Sequence, residues 1–126
     1  MAKKPASSAI RPGALAAYDR LIASVPGLVR KGASIPYTSV NGNMSSYLFD
    51  EGSLALRLSP TDRAAFLARF EAHLHEAYGI VQKEYVDVPD ALLDDPDQLG
   101  SWFAASHAYV LGLRPKPTTR RSAGRD

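Results

Sequence analysis

The chain has 126 residues, 45% of them hydrophobic, and a formal net charge of +2. One domain is the simplest partition of that length, and the apolar content excludes a disordered polymer. Cysteine is absent, which excludes disulfides, thiolate metal sites and a cysteine nucleophile.

The opening segment Met1-Ala2-Lys3-Lys4-Pro5-Ala6-Ser7-Ser8 is basic but has no apolar stretch behind it. A secretory leader is therefore not expected, no apolar run reaches membrane-spanning length, and cytoplasmic residence is the default. Charge is uneven along the chain: +3 over 1–13, +4 over 114–126 and −5 between them. Residues 1–13 and 115–126 read as flexible basic tails around a folded unit at 14–114. Solvated ends explain such tails. A polyanion contact through Lys3, Lys4, Arg114, Lys116, Arg120 and Arg121 is the nucleic-acid alternative, although the tails offer no aromatic ring for base stacking.

A first helix is predicted from Ala14 to Ser24. Leu15, Tyr18, Leu21, Ile22 and Val25 share one arc, and Pro26-Gly27 stops it. A first strand is predicted over Ser34–Val40, then Asn41-Gly42, which tolerates the positive φ values of a tight hairpin. The next strand is Asn43–Phe49. The third, Ser53–Leu58, alternates Leu54, Leu56 and Leu58 on one face with Ser53, Ala55 and Arg57 on the other. Ser59-Pro60-Thr61-Asp62 opens a second helix: Ser59 caps, Pro60 needs no N–H at N1, and Asp62 suits the dipole. Phe66, Leu67, Phe70, Leu74 and Ala77 extend its apolar face as far as Gly79. Ile80–Val88 is the fourth strand, with an imperfect alternation that implies a bulge or an edge position. Asp95 and Pro96 start the last helix, whose stripe is Leu99, Trp102, Phe103, Ser106, Tyr109, Val110 and Leu113. The order α-β-β-β-α-β-α predicts an α+β, two-layer domain: an antiparallel sheet of about four to five strands with helices on one face.

The residues Leu54-Ala55-Leu56-Arg57-Leu58, Arg63-Ala64-Ala65-Phe66 and Lys83-Glu84-Tyr85-Val86-Asp87-Val88-Pro89-Asp90-Ala91-Leu92-Leu93, in that order, resemble the N-terminal domain of the TfoX/Sxy family. The resemblance covers roughly 15–113. It implies a bacterial, cytoplasmic, non-enzymatic regulatory domain with no cofactor and no catalytic residues to carry over. The founding members regulate natural competence and join this domain to a helical one, for which the short basic end leaves no room.

Chemistry-bearing residues have structural readings beside functional ones. His73 and His75, on a helix, point about 200° apart and cannot share a metal; His73 is then the packed one and His75 the wet one. His107 lies at the edge of the last stripe. Asp87, Asp90, Asp94, Asp95 and Asp97 lack the spacing of a calcium loop and read as caps and dipole partners. Lys83 and Tyr85 share a strand face and read as a surface pair. No glycine-rich phosphate loop is present. The polar run Tyr37–Tyr47 stands out. It reads either as a water-facing hairpin or as a concave binding surface formed by Lys31, Tyr37, Ser39, Asn41, Asn43, Ser45 and Arg57. The expectation is a protein-interaction module, with exposed strand edges and Met44, Tyr47, Leu48 and Phe49 favouring a homodimer. A nucleic-acid accessory role through the tails is the alternative, and a small-molecule or enzymatic use of the hairpin is the third. No metal site and no membrane contact are expected.

Overall fold

A computed structural model describes residues 10–32, 35–50 and 52–115. Nine elements follow in order: α1 (Pro12–Ala23), β1 (Tyr37–Val40), β2 (Asn43–Phe49), β3 (Ser53–Arg57), α2 (Pro60–Phe70), β4 (Leu74–Ala77), β5 (Ile80–Val88), α3 (Asp90–Leu93) and α4 (Pro96–Leu111). The strands form one antiparallel sheet in the order β1-β2-β3-β5-β4. The α+β class with helices on one face holds.

Local chemistry starts the helices where the composition indicates. The Ser59 hydroxyl accepts from the Asp62 amide at 3.2 Å, and an Asp95 carboxylate oxygen accepts from the Gln98 amide at 3.3 Å. Proline follows each cap, where no N–H is wanted. Asn41 and Gly42 turn β1 into β2 with φ of 53° and 83°. Gly52, at φ 129°, closes the next turn, and a Cβ there would come within 2.6 Å of the Ala14 Cβ. That close approach seats the start of α1 against the sheet.

The core lies between the helices and one face of the sheet. Leu48, Leu54, Leu56, Leu58, Val86 and Val88 meet Tyr18, Leu21, Phe66, Leu93, Leu99 and Phe103, all buried. Phe66, Phe70 and Trp102 pack α2 against α4, the Phe66 and Trp102 rings 5.2 Å apart and edge to face. Leu48 belongs to this core and not to an exposed hairpin surface.

Several ends shift by a few residues, α1 beginning at Pro12 and β1 at Tyr37, and one boundary differs by a whole element. The second helix stops at Phe70, where Glu71 takes a left-handed conformation at φ 52°. Residues Leu74–Ala77 are not helical but form the edge strand β4. Tyr78 and Gly79, with φ of 56° and 75°, turn it into β5. The short α3 is a further addition to the predicted order.

Two irregularities set the sheet's shape. Thr38 faces Ser46 while Ser39 faces Met44, so Ser45 is an extra residue in β2. Between β4 and β5, Leu74 faces Val86 but His75 faces Gln82, leaving 83–85 unmatched on β5. Bulges of this kind bend a strand and increase its twist.

Candidate functional site

Among the described residues, no layer packs on the face of the sheet away from the helices. The register brings Tyr37, Tyr47, Ala55 and Asp87 into one row across β1, β2, β3 and β5. Tyr47 is its centre. Its ring lies 5.8 Å from that of Tyr85, 6.3 Å from Phe49 and 5.4 Å from His75, all edge-on. Such edge-to-face pairs suit the quadrupoles of the rings. Arg57 lies over Tyr85 at 5.8 Å and is held by Glu84 at 2.7 Å.

This aromatic floor is grooved. One hollow of about 570 Å³ is lined by Tyr37, Met44, Tyr47, Tyr78, Gln82 and Tyr85, among others. Another, of about 440 Å³, is lined by Ile35, Tyr47, Phe49, His75, Ala77 and Tyr78, among others. They share Ile35, Tyr47, Ala77 and Tyr78, so they form one continuous groove.

His75 is 2% exposed, and its Nδ1 lies 2.7 Å from Asp87 Oδ1. This reverses the sequence expectation, because on strand β4 His75 is the packed residue and His73 the exposed one. A carboxylate beside Nδ1 holds a ring proton on Nδ1, so in the neutral imidazole Nε2 is the acceptor. Nε2 has no hydrogen-bond partner among the described residues. The His75 ring is among the groups that line the second hollow. The imidazole ring lies 4.3 Å from that of Phe49. A fixed acceptor is thus set in an aromatic wall.

The expected polar surface is dispersed by the fold. Of its residues, Tyr37, Ser39 and Arg57 belong to the open face. Lys31 is exposed, its Nζ donating to Ser39 Oγ at 2.9 Å. Asn41 sits in the turn. Asn43 is buried and donates to the Arg114 carbonyl at 2.9 Å. Ser45, with the bulge behind it, turns inward and shares a 2.7 Å hydrogen bond with Thr38. Thr38 in turn lies 2.6 Å from Ser46, and Ser46 lies 2.8 Å from the Tyr18 hydroxyl. The Thr38, Ser45 and Ser46 hydroxyls of this run therefore bond one another inside the domain, while Ser39 stays on the open face. Burial pushes the Tyr18 hydroxyl up to about 12, against the lowering effect of its bonds. Burial also raises Tyr47 to about 12 and raises Tyr85.

Tyr47, Phe49, His75, Tyr78 and Asp87 were not grouped by sequence reasoning. Their signal is the aromatic content of β2 and of 75–87, but only the register joins them. Among the described residues, no three His, Asp or Glu side chains gather as a metal site, and no helix is long and apolar enough to cross a membrane. Asp90 accepts from Ser53 Oγ at 3.0 Å. Lys3, Lys4, Lys116, Arg120 and Arg121 lie outside the described residues; Arg114 is exposed.

The family model described as TfoX N-terminal domain matches residues 38–109, more than half of the chain. No curated protein and no solved structure matches it.

Proposed function

The chain belongs to the TfoX N-terminal domain family, and we propose that it acts as a non-enzymatic regulatory module that binds a protein through the open face of its sheet. The observation that carries this reading is the aromatic groove itself. Tyr37, Met44, Tyr47, Tyr78 and Tyr85 line a hollow on a face that no helix covers. Tyrosine and methionine are enriched where proteins meet, because they offer large apolar area with adaptable or polar ends. Among the described residues that line the groove, no nucleophile sits beside an activating base, and in this reading the bond between His75 and Asp87 serves recognition by fixing the imidazole.

The test is photocrosslinking in cells. A benzophenone amino acid in place of exposed Met44 should yield protein adducts, whereas the same group at exposed Ala104 on α4 should not. Equal labelling from both positions, or none from Met44, would count against the groove. An adduct between two copies counts as a protein partner in this test.

A further inference from the structure

We propose that the partner held in the groove is a second copy of this chain, each copy inserting Tyr78 into the groove of the other, where its hydroxyl donates to His75 Nε2. This deepens the function proposed above and rests on it.

Four observations converge. First, Tyr78 is 98% exposed at the tip of the β4–β5 hairpin and adopts φ of 56°. A bulky residue is costly in that conformation, and Asn or Gly is what the turn prefers. Tyrosine here satisfies neither the turn nor the core of its own domain. Strain retained without local benefit is a mark of function.

Second, the same hairpin carries Ile80 at 65% exposure and Val81 at 47%. Ile80 pairs with Ala77, a groove residue, and so shares the groove face beside Tyr78, while Val81, paired with Glu76, points to the other face. Clusters rimmed by polar residues mark contact surfaces.

Third, the groove asks for what Tyr78 supplies. The His75 ring is held by Asp87 at Nδ1 and walled by Phe49 and Tyr47, and in the neutral imidazole its Nε2 accepts. An aromatic ring carrying a hydroxyl satisfies both the wall and the nitrogen. The tail segments 1–9 and 116–126 contain no aromatic residue, so neither can fill this role.

Fourth, donor and acceptor lie close together on one chain, at the end of β4 and within it. β4 is the last strand of the sheet. A patch that contains both halves of a contact is self-complementary, which is what a two-fold interface requires: each Tyr78 meets the other copy's His75, and the contact is made twice. An edge strand beside it offers further pairing.

The experiment measures self-association of the full chain by sedimentation, with melting temperature followed in parallel. The wild type should dimerise in a concentration-dependent way. Tyr78→Asn should weaken dimerisation about tenfold or more, while the monomer becomes more stable, because asparagine relieves the turn. Opposite movements of the two readouts separate a contact from a folding defect. Tyr78→Phe, which keeps the ring and loses the donor, should give a smaller loss. His75→Phe should also weaken dimerisation.

Mixing gives the sharper result. Tyr78→Asn and His75→Phe chains each lose both contacts as homodimers. A mixed dimer regains one, from the Tyr78 of one chain to the His75 of the other. Mixed dimers forming more tightly than the geometric mean of the two homodimer association constants support the exchange, and a mixed dimer no tighter than that mean counts against it. A wild type that stays monomeric at high concentration overturns it, and so does a dimer indifferent to Tyr78. Either result leaves crosslinking from Met44 to a different protein intact as support for the broader function. Absence of both dimer and adduct removes the two together.

Discussion

Tyr18 shows how a single hydroxyl can tie layers together. It is buried in α1 yet reaches Ser46 on β2, and through it Thr38 and Ser45. Tyr18→Phe should cost about 1 kcal/mol, the net worth of one buried hydrogen bond, measured by urea unfolding. Thr38→Val should cost more, about 2 kcal/mol, because Ser45 and Ser46 both lose a partner inside the domain. The same hydroxyl confers a pH dependence. Its folded-state value of about 12 exceeds the ordinary 10.0, so the folded state favours the protonated phenol. That stability is whole below pH 10 and fades as pH rises towards 12. The urea midpoint should fall across this window, with a shallower fall in Tyr18→Phe; an identical slope in both would contradict the linkage. Tyr78→Asn belongs to this scale too, with an expected gain of about 1 kcal/mol from removing a left-handed tyrosine.

At the scale of elements, caps and turns decide where segments begin and stop. Ser59→Ala should cost about 1 kcal/mol by freeing the Asp62 amide at the start of α2. Gly52→Ala should cost more, about 2 kcal/mol, since φ of 129° is unsuited to a side chain and the added methyl meets Ala14. Thermal unfolding measures both. These capped and turned elements were the legible ones. Ser59-Pro60, Asp95-Pro96 and Asn41-Gly42 name their own conformations, and Leu54, Leu56 and Leu58 name the buried face of β3. The stretch 71–79 was not legible. Phe66, Phe70, Leu74 and Ala77 recur at helical spacing, although the helix ends in a left-handed Glu71. Tyr78-Gly79 does not look like a hairpin turn, because tyrosine seldom accepts positive φ. Reading through that turn as helix placed His75 in water and His73 in the core, the reverse of their true positions.

At the scale of the whole molecule, the sheet separates stability from recognition by face. Leu56, fully buried against the helices, should lose about 2–5 kcal/mol on change to alanine. Met44, exposed on the other face, should tolerate alanine with little change in unfolding midpoint yet weaken partner binding. Equal stability losses at the two positions would refute this division. The division also explains why the fold could be read in advance and the groove could not. Burial against helices leaves an alternation along each strand. The groove instead joins Tyr37, Tyr47, Gln82 and His75 from four strands, and their adjacency depends on register, which no single segment records.

Ser45 gives that register an arithmetic. In β2, Met44 and Tyr47 both face outward although three positions separate them, because the extra residue changes the strand from even to odd counting. Substituting Ser45 alters one hydrogen bond. Deleting it would join Met44 directly to Ser46, which are already paired with the consecutive residues Ser39 and Thr38, so the strand would return to even alternation with no side chain turned over. Related chains can therefore lack this residue and still present Met44, Tyr47 and Phe49 on the open face, whereas a gap at any matched position of β2 would turn one half of the strand over.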